Sequence, residues 1–506
     1  MLGLISRFDR IDPKYIFVVL ISLYFFVEIP YLPSVTAVWV DEPWYSNVGH
    51  NFSIGNGLVN THVGSGGGER FFLFSIMLGA AFKFLGTSIT VARFVSVLGG
   101  LTALIAFLCI LRTLKLKNIT VLIAGVLFIF SNVFYIIFRT VRPESWVVAF
   151  GLWSLYFLLV ALEKKSNRHF FCCSLLATLS ALCHPNGALY VFFFGIISLI
   201  DTIKYRKAGY LSFFILGCVP VTLVFLANTI FFRPETFSEF FAVISSRTYA
   251  GGGSSGTLDA VFRFFASYSL GIKRLFIVLI EICILVCGLF FYKRSRNLFI
   301  VSILGISFLT IGLLLLRPFV TRHFGEVLVF SMVAMAIVLD FSLDHSLAST
   351  LAAVLALGFF LNNLAGEVYV LYKQGGNTSY AALDEEIDEA VPDDTTVLTL
   401  HTLWFPLKNN TTYSAYTRWS ERKYDSLEHL IRSNSVDYVV MSDYMARGAM
   451  TTSGRSVSSV KISRHIEYFD TVMEYAREKG SLVDDIATSG YGDIKIFVID
   501  GGRTVY

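Results

Sequence analysis

The sequence predicts a polytopic α-helical membrane protein with about 11 transmembrane helices and a small α/β domain at its C-terminal end. Of the 506 residues, 55% are hydrophobic and only 15% are charged, which is too few charges for the surface of a soluble protein of this length. Apolar runs of about 18–22 residues recur along the chain, and a helix of that length crosses the ~30 Å hydrocarbon core of a bilayer. A soluble fold is therefore excluded.

The first apolar run follows Arg7, Arg10 and Lys14 and ends without a small-residue cleavage site. We therefore predict a retained signal anchor with the N-terminus in the cytoplasm. Basic clusters in later loops orient the other spans and give no sign of nucleic-acid binding. Residues 71–85 are too short for a span, and we place them as an interfacial helix in a first external loop, residues 34–90. The other apolar runs are 91–111, 119–137, 145–162, 170–184, 187–203, 209–232, 272–292, 297–316, 324–342 and 347–364.

We divide the chain into a transmembrane part, residues 1–370, and an extracytoplasmic domain, residues 371–506. In the second part the composition changes to that of a small soluble domain. Apolar runs at 396–400, 436–440 and 495–500 indicate buried strands, and helical patterns lie between them. This alternation predicts an α/β domain on the outer face of the plasma membrane.

The adjacent carboxylates Asp41 and Glu42 are the most informative residues of the first external loop. They lie at the predicted outer edge of the membrane beside Trp44 and Tyr45, whose rings favour the lipid–water boundary. Two carboxylates are costly at a bilayer without a partner or a task, and a carboxylate within reach of a hydroxyl is a common general base. The alternative is that the pair caps a helix beginning near Pro43.

A second polar group lies in the short external loop after the third span. This loop contains Arg139, Arg142 and Glu144. Because the arginine fork matches the geometry of a phosphate group, the loop is a candidate binding site for a lipid phosphate. The alternative is that arginines at helix ends only extend to the lipid headgroups.

Two further motifs lie on the same predicted face. His184 begins a turn at 184–187 with the sequence H-P-N-G. Proline and glycine alone explain such a turn, and His184 is a candidate contact for a phosphate or a carboxylate. Arg322 and His323 precede the tenth span, where Arg322 is a candidate second phosphate clamp.

The order of these motifs resembles that of the GT-C glycosyltransferases, and most closely the family 39 branch of protein O-mannosyltransferases and lipid A aminoarabinose transferases. In that family the first external loop opens with D-E-x-x-Y, as at Asp41, Glu42 and Tyr45 here, and continues to an E-K-P-P-like turn. Glu69 and Arg70 take the place of E-K, with Arg for Lys and two phenylalanines for the prolines. The other matches to the family's first loop are Gly49 and the segments 55–59, 84–88 and 92–94.

The resemblance implies a GT-C fold and an enzyme that moves a sugar, with inversion, from a polyprenyl-phosphate donor to a lipid, glycan or protein acceptor outside the cytoplasm. Asp41, with Glu42 as the second candidate, would activate the acceptor. The substrate contacts implied by the motifs are Tyr45, Glu69, Arg70, Arg139, Arg142, Glu144, His184, Arg322 and His323.

A divalent metal ion stays an open expectation, because some GT-C enzymes need a metal and others do not. Carboxylate and imidazole groups suit hard or borderline divalent ions. The candidate ligands are Asp41, Glu42, Glu69 and His184.

The non-enzyme alternative is a transporter or flippase for polyprenyl-phosphate lipids, which would bind the same lipid. Transporters place charges near the bilayer midplane and often contain two related halves. Here the charges cluster at one predicted outer face and no internal repeat is visible, which favours the glycosyltransferase.

Overall fold

The computed structural model describes residues 11–39, 41–62, 71–231, 272–290, 295–315, 325–344, 346–415, 426–443 and 459–499. Within these ranges, the apolar runs that the sequence predicts as spans are helical, and the run 119–137 is divided into two helices. The helices of the membrane part are α1 Pro13–Glu28, α2 Asp41–Ser53, α3 Leu73–Leu85, α4 Ile89–Thr113, α5 Asn118–Ile129, α6 Asn132–Arg139, α7 Glu144–Lys164, α8 Asn167–Cys183, α9 Ala188–Tyr205, α10 Gly209–Leu226, α11 Ile272–Phe290, α12 Arg296–Leu315, α13 Gly325–Ser342 and α14 Ser346–Gln374.

The helix lengths agree with a polytopic membrane protein. Six of the described helices are long and apolar enough to cross a membrane, or seven if the α5–α6 pair, bent by 59°, is one broken span. Helix α3 has 13 residues, which is only ~20 Å at 1.5 Å per residue and too short to span. The predicted fold class is confirmed, and α3 fits the predicted interfacial helix.

Helices α1, α4 and α6 pack closely at the end of the bundle that carries the first loop. The hydroxyl of Tyr24 donates to the carbonyl of Val97 at 2.8 Å, and its ring contacts Phe138 with 6.3 Å between centroids. A Cβ at Gly100 would lie 2.2 Å from the Tyr24 hydroxyl oxygen, so glycine is required for this approach. The contact places the end of α6 beside the end of α1.

Helices and strands alternate in the C-terminal region: α15 Tyr380–Ala390, β1 Thr396–Thr399, β2 Thr411–Ser414, α16 Leu427–Ser433, β3 Tyr438–Ser442, α17 Ser459–Lys479, β4 Gly480–Ala487 and β5 Asp493–Ile499. The described strands form a five-stranded sheet in the order β2-β1-β3-β5-β4. Strand β1 pairs parallel with β2 and β3, whereas β5 pairs antiparallel with β3 and β4. The three predicted strands correspond to β1, β3 and β5.

The C-terminal domain packs directly on the loop that follows α1. The backbone N–H of Val38 donates to the Tyr491 hydroxyl at 3.2 Å, and that of Ala37 donates to Gln374 Oε1 at 3.1 Å. One apolar cluster joins side chains of α3 and α4 to side chains of α15 and β5. The loop is thus held between the bundle and the domain. Helix α14 extends to Gln374, past the predicted domain boundary at residue 370. The position of that boundary stays a prediction.

Candidate active site

The first turn of α2 and the loop between α6 and α7 bring Asp41, Arg142 and Glu144 together. Arg142 donates from Nε to both oxygens of Glu144, at 3.2 and 3.1 Å, and from Nη2 to Oε1 at 2.9 Å. Its Nη1 forms an ion pair with Asp41. The Asp41 side chain is 36% exposed, whereas those of Arg142 and Glu144 are 9% and 1% exposed. Asp41 is therefore the accessible member of this ion cluster.

The two carboxylates keep Arg142 charged. Burial alone would lower the pKa of Arg142, but Glu144 and then Asp41 attract the guanidinium and raise its pKa above the usual value. Tyr45, one turn along α2, acts in the same direction. Its ring contacts Phe74 of α3 with 5.7 Å between centroids. Tyr45 thus lies beside the ion cluster, and its role in substrate contact stays a prediction.

Glu42 forms a separate and fully buried ion pair. Arg93 of α4 donates to Glu42 through Nε and Nη2, both at 2.9 Å, and neither side chain is exposed. Glu42 also accepts the backbone N–H groups of Trp39 and Val141, both at 3.0 Å. The carboxylate therefore ties α2 to α4 and to the loop that carries Arg142. This geometry favours a positioning role for Glu42 over the predicted role as a base.

Arg139, at the end of α6, has no exposed surface. Its guanidinium donates to the carbonyls of Val27, Glu28 and Pro30 at 3.1, 2.7 and 2.6 Å, and to that of Val35 at 3.3 Å. These carbonyls belong to the last turn of α1 and the segment after it. Because its donors serve the backbone, Arg139 fixes the path from α1 to α2, in contrast to the substrate contact that the sequence suggested.

Several motif residues shape the loop and take no part in its charge network. A Cβ at Gly49 of α2 would lie 2.7 Å from the Leu78 Cβ of α3, so the two helices approach closely there. Gly86 ends α3 with a φ of 82°, a conformation that favours glycine. Ser88 then caps α4, its Oγ accepting a backbone N–H at 3.2 Å. The turn between these helices sets Arg93 against Glu42.

The turn at 184–187 approaches the ion cluster through a different pair of residues. His184 Nδ1 accepts the backbone N–H of Asn186 at 3.4 Å, which caps the short 3-10 helix Pro185–Gly187. Asn186 Nδ2 donates to Glu326 Oε1 of α13 at 3.1 Å. Glu326 in turn lies within electrostatic range of Glu144. His184 thus serves the turn, and its predicted phosphate contact stays a prediction.

Two histidines connect the first loop with the C-terminal domain. The His401 ring lies parallel to Trp44, with 6.1 Å between centroids and 3° between planes. The His62 ring meets His401 edge-on with 4.4 Å between centroids. Their Nδ1 atoms hydrogen-bond to hydroxyls of β2, His401 to Ser414 at 3.0 Å and His62 to Thr412 at 2.9 Å.

Both histidines are neutral at physiological pH. Burial lowers the pKa of His401 to about 4, although attraction to Asp41 opposes the shift. Burial, and then repulsion from His401, lowers the pKa of His62 well below its usual value. Since Asp41 acts electrostatically on His401, the C-terminal domain borders the carboxylate of the ion cluster.

Four predicted site residues lie outside the described part of the chain. Their substrate roles stay predictions, and they are Glu69, Arg70, Arg322 and His323.

The described candidates for metal ligands do not form a metal site. Across the described residues, no three His, Cys, Asp or Glu side chains are grouped as metal ligands would be. Glu42 is bonded to Arg93, and His184 accepts from its own turn. Glu69, the remaining candidate ligand besides Asp41, lies outside the described residues, so a divalent metal ion stays an open prediction.

Comparison with solved structures identifies the architecture. The chain aligns with ArnT from Cupriavidus metallidurans bound to undecaprenyl phosphate, with a TM-score of 0.64 and 12% identity, over 96% of this chain and 98% of that one. The fold is GT-C. The same ArnT in its apo state aligns with a TM-score of 0.59 and 12% identity, over 95% and 97% of the two chains. An Archaeoglobus fulgidus oligosaccharyltransferase in complex with zinc and sulfate aligns with a TM-score of 0.51 and 14% identity, over 86% and 68%.

A sequence profile agrees with the GT-C fold. Residues 71–231 match the profile of the dolichyl-phosphate-mannose-protein mannosyltransferase family, a segment that begins just before α3 and ends just after α10. Among curated proteins, no sequence matches the chain. The fold and the profile together confirm the predicted resemblance to GT-C membrane glycosyltransferases.

Sequence reasoning gave no individual role to four residues of this region. Arg93 and Glu326 carried a usable signal, because both lie in predicted spans, where a charge is costly unless it is paired. His62 and His401 carried none, because their segments lie far apart in the chain and they meet only after the C-terminal domain has docked.

Proposed function

We propose that this GT-C protein transfers a sugar from a polyprenyl-phosphate donor to a hydroxyl or amine acceptor at the outer face of the plasma membrane. The observation that carries the proposal is the ion cluster, in which the accessible carboxylate of Asp41 shares a buried guanidinium with Glu144. The match to a mannosyltransferase profile and the likeness to an ArnT bound to undecaprenyl phosphate support it.

Arg142 is the proposed phosphate-binding group. Glu144 accepts hydrogen bonds from the Nε and Nη2 of Arg142, while the Nη1 of Arg142 forms the ion pair with Asp41. A donor phosphate that enters from the exposed side of Asp41 would compete with this carboxylate for Nη1, and the arginine fork suits phosphate. Glu144 would keep the guanidinium oriented throughout the exchange.

The exchange would also release Asp41 to act as the general base. Its carboxylate would accept the proton of the acceptor hydroxyl or amine. The acceptor atom attacks the anomeric carbon, the bond from that carbon to the phosphate oxygen breaks, and the electron pair leaves with polyprenyl phosphate. Arg142 stabilises the charge that develops on this oxygen. A single displacement of this kind inverts the anomeric centre.

The remaining residues have supporting roles in this proposal. The buried pair of Glu42 and Arg93 positions α2 against the loop that carries Arg142. Tyr45 lines the cluster beside Asp41. Further donor contacts are proposed for the residues outside the described ranges, which are Glu69, Arg70, Arg322 and His323.

Sugar transfer in proteoliposomes tests the proposal. The full chain is supplied with a panel of radiolabelled polyprenyl-phosphate sugars and cell-extract acceptors, with and without divalent metal ions. We expect transfer by the wild type and by Asp388→Asn, an exposed carboxylate of α15, and none by Asp41→Asn. A donor that is bound or moved across the bilayer but never consumed would overturn the proposal in favour of a flippase.

A further inference from the structure

An open cavity of about 520 Å³ lies between the α7–α8 loop and the α9–α10 loop. Helix α7 begins at Glu144 in the ion cluster and ends at Lys164, beside this cavity. Its 21 residues extend over ~30 Å at 1.5 Å per residue. The cavity and the ion cluster therefore lie at opposite faces of the membrane, and the proposed sugar transfer does not use the cavity.

The cavity wall carries positive charge. Lys165, Arg168 and Lys207 line it, and none of its described lining residues is acidic. Lys165 also bonds to the buried Asp201 at 2.8 Å, and Arg296 bonds to the other oxygen of that carboxylate at 3.1 Å. Asp201 thus offsets one charge and anchors Lys165 at the wall. Arg168 and Lys207 contribute two further positive charges to the cavity wall.

Two helices begin at this cavity. Helix α8 starts at Asn167 and α10 starts at Gly209, and both residues line the wall. Neither helix has a side-chain cap hydrogen bond at its N-cap residue. In α10 the backbone N–H of Leu211 already donates to the Thr202 hydroxyl at 3.1 Å. The start of α8 is therefore the helix end whose backbone N–H groups and dipole favour an anion, and it adds to the attraction of the cationic wall.

The surface next to the cavity fits a lipid. Ile203 of α9 and Phe213 of α10 lie close in sequence to the lining segment 207–210 and are 68% and 37% exposed. Exposed apolar side chains on spanning helices face acyl chains. We propose that the cavity binds the phosphate group of an anionic phospholipid in the leaflet opposite the ion cluster. A soluble phosphate ion offers the same chemistry to the cavity. The alternative without a ligand is that the basic loops only orient the helices in the membrane.

Lipid retention by the purified full chain tests the site. The chain is reconstituted with phosphatidylglycerol and phosphatidylcholine in equal amounts, and the bound lipid is counted by native mass spectrometry. The double variant Arg168→Gln/Lys207→Gln is expected to bind phosphatidylglycerol roughly 30-fold more weakly, and each single variant roughly fivefold more weakly. Lys115→Gln is the matched control, since Lys115 is 83% exposed in another loop of the same face.

The outcomes separate the three accounts. Selective retention by the wild type and the control, with the stepwise loss in the variants, supports the lipid site. If millimolar inorganic phosphate displaces the lipid and binds equally well in lipid-free detergent, the cavity binds phosphate, but the proposal that its ligand is a lipid is wrong. Equal retention by the wild type and the double variant would overturn the proposal. Unchanged thermal midpoints establish that the variants are folded.

Discussion

Asp41 and Glu42 are neighbours in the sequence but lie in different surroundings. Successive residues of an α-helix point about 100° apart, so one carboxylate meets the accessible ion cluster while the other meets Arg93 inside the protein. The sequence singled out the pair and predicted its place at the membrane edge. It could not separate the two roles, because Arg93 and Arg142 approach from elements that lie far along the chain.

Replacing each carboxylate with its amide separates stability from chemistry. Glu42→Gln leaves the Arg93 guanidinium buried without its charged partner, and breaking such a pair costs about 3–5 kcal/mol. We expect a clearly lower thermal midpoint for Glu42→Gln in detergent, whereas Asp41→Asn, at an accessible position, keeps the midpoint of the wild type. A stable Glu42→Gln protein that has lost sugar transfer would instead identify Glu42 as the base.

Arg142 should control donor affinity. Hydrogen bonds to charged groups contribute about 1.5–3 kcal/mol, so we expect Arg142→Ala to weaken the binding of polyprenyl phosphate about 10- to 100-fold. Arg142→Lys keeps the charge but loses the forked guanidinium, so its affinity for polyprenyl phosphate should lie between those of the wild type and Arg142→Ala. Titration of polyprenyl phosphate into folded protein measures the affinity. Equal affinity in the wild type and Arg142→Ala would remove Arg142 from the donor site.

At the scale of elements, apolar runs predicted the membrane helices well because length and hydropathy alone decide them. Apolar runs also predicted strands β1, β3 and β5, because most of the side chains of these strands are buried. Strand β4 was missed because nearly all of its side chains are exposed, so it lacks an apolar run. Strand β2 has only four residues and carries three polar ones.

The contact between the first loop and the C-terminal domain should weaken in acid. Buried His401 has a pKa of about 4, below that of an unfolded histidine, so as the pH falls from about 6.5 to 4 the unfolded state takes up the proton first. The free energy of unfolding therefore falls as the pH drops through this range, by at most about 3 kcal/mol. His62, with a pKa lowered in the same direction, adds to the loss.

Thermal unfolding across this pH range tests the histidine contact. The wild type should lose stability between pH 6.5 and 4 more steeply than the double variant His62→Gln/His401→Gln. The exposed His429→Gln variant is the control and should follow the wild type. Parallel curves for the wild type and the double variant would show that the buried histidines do not set the acid response.

At the scale of the whole molecule, the sequence predicted the GT-C fold through the order of its motifs and the count of its apolar runs. It did not predict that the C-terminal domain would close over the first loop. That docking depends on contacts such as Val38 with Tyr491 and Trp44 with His401. Single hydrogen bonds and ring contacts between segments so far apart in the chain leave no periodic pattern to find.

The orientation of the chain can be tested by cysteine labelling in a background without the seven native cysteines. We expect Glu386→Cys, in the C-terminal domain, to react with an impermeant maleimide in intact cells. Arg206→Cys, after α9, should react only after permeabilisation, because its basic loop is predicted to face the cytoplasm. The reverse pattern would place the ion cluster on the cytoplasmic side and contradict the proposed site.

Counting products tests the central claim most directly. The purified chain in proteoliposomes is given a polyprenyl-phosphate sugar, and mass spectrometry quantifies both the polyprenyl phosphate released and the sugar transferred. For the wild type we predict one polyprenyl phosphate for each sugar transferred. Asp41→Asn, at equal amounts of folded protein, should release none. Release by Asp41→Asn at the wild-type rate, or a donor that remains intact in the presence of acceptor, would contradict the account.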